Sequence, residues 1–112
     1  MPNKPKFLLV LTTCPGSITA KKIANSLVAD NLAACVQIIA GAQSFFRWVG
    51  KVDHKEEHLL IIKTTADRYQ ALEGRITSLH PYELPEIVAV PITGGLAGYL
   101  SWIQTCTESP PT

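Results

Sequence analysis

The sequence predicts an α+β chain with the element order β-α-β-β-α-β and one further helix at the end. Three observations carry this. Apolar residues recur at helical spacing in two stretches, from Ile18 to Val28 and from Tyr69 to Leu79. Three short runs are apolar at every position: Leu8-Leu9-Val10-Leu11, Leu59-Leu60-Ile61-Ile62 and Ile87-Val88-Ala89-Val90. Gly50-Lys51 is a turn signal that folds a long β-rich stretch into one hairpin. Together they give the split-βαβ, ferredoxin-like arrangement with a long hairpin between the second and third strands.

Each element has a local reason. Residues 1–5 carry two prolines, which predicts a loose start. Residues 6–13 form a compact apolar run stopped by Pro15-Gly16, the first strand. Ser17 is placed to cap the first helix. Ile18, Ala20, Ile23, Ala24, Leu27 and Val28 face one way along it, and Lys21, Lys22 and Asn25 the other. Asp30-Asn31 closes it, asparagine being tolerated in a left-handed cap. Residues 32–40 begin the second strand, Gly41 marks a bulge, and the strand resumes to Val49. Val52 to Thr64 returns as the third strand. Thr65 or Asp67 caps the second helix, whose apolar positions are Tyr69, Leu72, Ile76 and Leu79. Pro81 ends that helix, because proline lacks the amide hydrogen and clashes with the preceding turn. It also biases His80 to an extended backbone. Glu86 to Ile92 form the fourth strand. Gly94-Gly95 breaks it before a short helix that ends near residue 107.

The chain has 112 residues, which fits a single domain spanning 1–112 with loose ends at about 1–5 and 108–112. Hydrophobic residues make up 46 % and charged ones 17 %, enough apolar material for a core. The net charge of +1 and the absence of a basic run argue against a nucleic-acid surface and against membrane steering. Lys4, Lys6 and the run Phe7 to Leu11 before Cys14 loosely resemble a lipoprotein signal, but five apolar residues are too few. No stretch is long enough to span a membrane. Cys14, Cys35 and Cys106 are odd in number and widely spaced, so a zinc ribbon, a redox dithiol and a disulfide scaffold are all disfavoured. A reducing compartment, the cytoplasm, is expected. No P-loop, GxSxG, HExxH or dinucleotide fingerprint is present in the sequence, and no enzyme activity is expected.

The strand runs also bear on assembly. A sheet with both helices on one face leaves its other face to water, and its strands then alternate apolar and polar. These runs do not alternate, so both faces should be buried. One chain has too few helices to cover both. Self-association, sheet against sheet, covers the second face. The competing arrangement is a monomer whose third helix and tail do so.

The segments Leu32-Ala33-Ala34-Cys35-Val36, Trp48-x-Gly50-Lys51, Ile61-Ile62-Lys63-Thr64, His80-Pro81-Tyr82-Glu83-x-Pro85-Glu86-Ile87 and Leu100-Ser101-Trp102-Ile103 together resemble the divalent-cation tolerance (CutA) family, over about residues 7–104. The resemblance implies a ferredoxin-like homotrimer linked to tolerance of copper and other divalent metals. It also implies a likeness to the trimeric PII signalling proteins, which bind small ligands in clefts between subunits. Proposals of a metal site in bacterial members involve a cysteine near the end of the first strand and the histidine of the HPY segment. Here Thr12 stands at that cysteine position, and Cys14 lies two residues on. Leu79-His80 stands where some relatives have two histidines.

Two candidate sites follow. The metal set is Cys14, His80 and Glu86, for copper or another divalent ion that is not obligatory; soft and borderline ions favour thiolate and imidazole. The competing reading is an ordinary thiol and a helix-ending histidine. The cleft set is Trp48, Lys63, Tyr82 and Glu83, with Glu86 beside it, for a small ligand between subunits. There the competing reading is interface packing and a Lys63–Glu86 ion pair. His54, Glu56 and His58 fall on one face of the third strand. However, His54 and His58 lie ~13 Å apart at ~3.3 Å per residue, so they form a solvated arm and not a metal site. The expected partners are copies of the chain itself and a metal ion or small molecule, with neither nucleic acid nor membrane. A PII-like ligand sensor and a trimeric assembly scaffold are the alternative functions.

Overall fold

A computed structural model of the chain describes residues 5–109. The elements follow the expected order: β1 (Phe7–Cys14), α1 (Ser17–Ala29), β2 (Cys35–Trp48), β3 (Lys51–Thr65), α2 (Ala66–Leu79), β4 (Ile87–Pro91) and α3 (Ala97–Cys106). They build one four-stranded sheet in the order β2-β3-β1-β4. All neighbours are antiparallel: β1 with β3, β1 with β4, and β2 with β3. Each βαβ crossover therefore joins two strands that have a third strand between them.

The core lies between the sheet and α1 and α2. Val10, Leu60 and Ile62 from the strands meet Ala20, Ile23, Leu27, Leu72 and Ile76 from the helices, all fully buried. Polar bonds fix the helix ends. Asn31 adopts φ 59° as the sequence requires, and Arg68 Nε donates to its carbonyl at 3.2 Å. Arg75 pairs with Asp30 at 2.7 Å and donates to Ser26 Oγ at 2.7 Å. Leu32 to Ala34, expected as strand, form a buried turn instead. The Leu32 and Ala33 amides both close on the Leu27 carbonyl at the end of α1, at 2.9 and 3.2 Å, and Thr64 Oγ1 donates to the Leu32 carbonyl at 2.7 Å. Thr65 occupies the N-cap of α2 as expected, whereas Gly16, not Ser17, occupies that of α1, and neither helix has a side-chain cap bond.

Beyond His58, which faces Cys14 at the end of β1, the β2–β3 hairpin continues as a two-stranded arm. A bulge between Ile39 and Ala42 bends β2 at Gly41, which has φ 83°. The loose ends expected at 1–5 and 108–112 lie partly outside the described residues. Within them, Lys6 accepts a backbone bond from Ala66 at 2.9 Å, and Glu108 accepts one from the Asn31 side chain at 3.2 Å.

The sheet face away from α1 and α2 is largely apolar, with Lys63 opposite Leu9 and Gln37 opposite Ile61 as polar positions on it. By register Leu9 faces Val90, Leu11 faces Val88 and Ile61, and Thr13 faces Leu59. α3 packs against β3 and buries Ile103. It leaves Val88 at 47 %, Val90 at 45 % and Ile39 at 48 % exposure.

Candidate functional site

The connector from His80 to Glu86 follows α2 and runs past the end of β1. His80 has φ −79° and ψ 137°, the extended backbone that Pro81 imposes. Its amide closes α2 on the Ile76 carbonyl at 2.9 Å. Its ring is 8 % exposed and both nitrogens are engaged. The Tyr82 amide donates to Nδ1 at 3.1 Å, so Nε2 carries the proton and donates to the Thr13 carbonyl at 2.7 Å. The tyrosine ring then lies 4.7 Å from the imidazole. Thus the histidine ties the connector to β1 by its side chain.

Cys14 ends β1 and is fully buried. Burial, and then the nearby Glu57 carboxylate, push its thiol up to about 11, so it is protonated at neutral pH. Glu86 is exposed at the end of the connector. Among the described residues, no group of three His, Cys, Asp or Glu side chains is placed to hold a metal ion. As folded in one chain, Cys14, His80 and Glu86 therefore do not fit a resident metal. The thiol keeps its proton, and the imidazole has no free lone pair.

The cleft candidates fare differently. The connector and the hairpin arm line an open cleft of about 1000 Å³. Trp48 lines it from the arm, and Tyr82, Glu83 and Glu86 line it from the connector. Lys63 does not. It sits mid-sheet opposite Leu9 and Cys35, and its ammonium bonds the Gln37 side chain. The structure thus separates Lys63 from Glu86 and joins Glu86 to the cleft set.

Two residues that matter here were not among the sequence candidates. Glu57 is 5 % exposed and accepts a hydrogen bond from Tyr82 Oη at 2.9 Å. Burial, with this bond and the carboxylate charge, pushes the tyrosine up to about 12. Lys55 holds its ammonium 4.8 Å from the centroid of the same ring. The sequence signal was weak. Glu57 stands between Glu56 and His58 in a charged stretch, and only the end of β1 beside it makes that position buried. His54 and Glu56 are exposed, and His54 stacks on Phe45 at 5.2 Å.

Comparison with known proteins agrees with this fold. Residues 8–106 match the family described as CutA1 divalent ion tolerance protein. The divalent-cation tolerance protein CutA of Thermus thermophilus is 46 % identical over 88 % of this chain and 96 % of its own length. The chloroplastic protein CutA of Arabidopsis thaliana is 42 % identical over 91 % of this chain, which spans only 56 % of that longer protein. The crystal structure of CutA from Xylella fastidiosa superposes with a TM-score of 0.90 at 43 % identity, covering 92 % of this chain and 99 % of that one.

Proposed function

Because the chain belongs to the CutA1 divalent ion tolerance family, we propose that it acts as a cytoplasmic homotrimer that binds divalent metal ions, copper among them, as part of tolerating them. The reading is of a ferredoxin-like binding protein, not an enzyme. The observation that carries the assembly is the apolar sheet face, where Val88 and Val90 stand half exposed on an edge strand. The cytoplasm is favoured by Cys14, Cys35 and Cys106, which are all free thiols. No helix among the described residues is long and apolar enough to cross a membrane.

The metal in this reading is a transient ligand. To reach it, His80 Nδ1 gives up the Tyr82 amide that occupies its lone pair and Cys14 gives up a proton, so binding is weak and rises with pH. Copper titration of the pure protein, with Cys14→Ala and His80→Ala beside it, tests this. The expected result is weaker binding in both variants. Equal binding in all three removes Cys14 and His80 as ligands.

A second reading is favoured by the cleft itself: a small ligand held against Trp48, Tyr82 and Glu83, with the neighbouring subunit closing the site, as in a PII-like sensor. Thermal-shift screening against metabolites separates it from the first. Stabilisation by a metabolite and not by metal, lost in Trp48→Ala, supports it. The scaffold alternative predicts stabilisation by neither.

A further inference from the structure

The lining of the cleft specifies the charge of what it takes. Asp53, Glu57, Glu83 and Glu86 contribute four carboxylates, and Lys55 contributes one ammonium. None of the four is in an ion pair, since the one salt bridge among the described residues is Arg75 with Asp30. Glu57 is the telling member. It is 5 % exposed, and its one hydrogen-bond donor is the neutral Tyr82 hydroxyl. A buried carboxylate without a cation is unfavourable, and a cation placed beside it gains from the same low dielectric.

The remaining walls are aromatic. Phe46 and Trp48 come from the arm and Tyr82 from the connector. Aromatic faces attract organic ammonium groups. The chain already shows the contact, because the Lys55 ammonium sits over the Tyr82 ring at 4.8 Å. Hydrated divalent ions make no use of such walls, and anionic metabolites are repelled by the carboxylates.

We propose that this cleft binds a flexible aliphatic polyamine, one ammonium beside Glu57 over the Tyr82 face and the others reaching Glu83 and Glu86. The inference rests on the cleft being a ligand site, the second reading above. Lys55 occupies part of the place and competes with the ligand.

The test is titration calorimetry of the assembled protein with spermidine, with fluorescence of the Trp102→Phe variant, in which Trp48 is the one remaining tryptophan, as a second readout. Saturable binding is expected. Glu57→Gln keeps an acceptor for the tyrosine and should weaken binding about 10-fold. The surface double variant Glu83→Gln/Glu86→Gln, which leaves the core untouched, should weaken it by about as much. Lys55→Ala should tighten it several-fold. Spermidine binding that none of these variants changes is adventitious and overturns the proposal. Failure of spermidine to bind while a neutral or anionic metabolite quenches Trp48 overturns the ligand class and leaves the cleft reading standing. A Trp48 signal that no small molecule moves overturns both.

Discussion

Thr12 is fully buried, and its hydroxyl has no partner among the described residues. An unmade bond on a buried hydroxyl costs about 1–3 kcal/mol. Thr12→Val keeps the shape and removes the hydroxyl, and a gain of about 1 kcal/mol in urea unfolding is expected. A loss would mean that a neighbouring subunit supplies the missing partner. Two residues on, Cys14 makes stability depend on alkaline pH. Its thiol is raised from 9.0 to about 11 in the folded chain, so the folded state holds the proton more tightly. The stabilisation is complete below pH 9 and is lost as pH rises towards 11. Between pH 8 and 10.5 the loss should be about 2 kcal/mol at 1.36 kcal/mol per unit. Cys14→Ala should remove the part of that slope below pH 10, leaving the part above it that the raised Tyr69 and Tyr82 hydroxyls supply, and Cys35 and Cys106, both half-buried, should react first with a thiol reagent. At this scale the sequence was partly legible. It marked Trp48, Tyr82, Glu83 and Glu86, which share a cleft. It could not show that both His80 nitrogens are taken, because one partner is a carbonyl 67 residues away. Lys63 misled because strand spacing fixes a face and not a position along the sheet.

Among the elements, the helices and strands were the most legible, because apolar period and proline placement act locally. The misplacement at Leu32–Ala34 came from bonds that an apolar pattern does not reveal: two amides close on the Leu27 carbonyl, and the Thr64 hydroxyl donates to that of Leu32. The hairpin turn carries its own tension. Val49 has φ 49° and Gly50 φ 76°, between the paired Trp48 and Lys51. Two positive φ angles make a type I′ turn, which favours asparagine followed by glycine. A β-branched residue there is strained, because the left-handed region costs roughly 1–2 kcal/mol for an L-residue. In the single chain Val49 is 86 % exposed, so no packing offsets this. Val49→Asn should therefore raise stability by about 1 kcal/mol in thermal or urea unfolding. A fall in stability would show that the Val49 methyls are buried against another subunit, which would explain why a strained residue stands at the tip of the arm.

For the whole molecule, the decisive quantity is what covers the second sheet face. α3 packs on β3 and buries Ile103 but leaves part of the face uncovered. β4 is an edge strand of sequence Ile-Val-Ala-Val-Pro, with nothing polar to discourage another chain from pairing with it. Val88 and Val90 share a face with Leu9, Leu11 and Ile61, and both remain about half exposed. Completing their burial is worth roughly 1 kcal/mol each, and a closed assembly collects that sum once per subunit. In the proposed trimer the wild-type chain should scatter light as about 37 kDa, three times 12.2 kDa. Val88→Lys/Val90→Lys puts six charges onto the shared faces of such a trimer, none with a partner. It should shift the species towards 12.2 kDa while leaving far-UV circular dichroism unchanged, because neither side chain belongs to the core under α1 and α2. The same variant should also weaken ligand binding in the cleft if a neighbouring subunit closes it. A wild-type chain that scatters as 12.2 kDa would mean the apolar face is tolerated in water, and both the trimer and the intersubunit closure of the cleft would fall together.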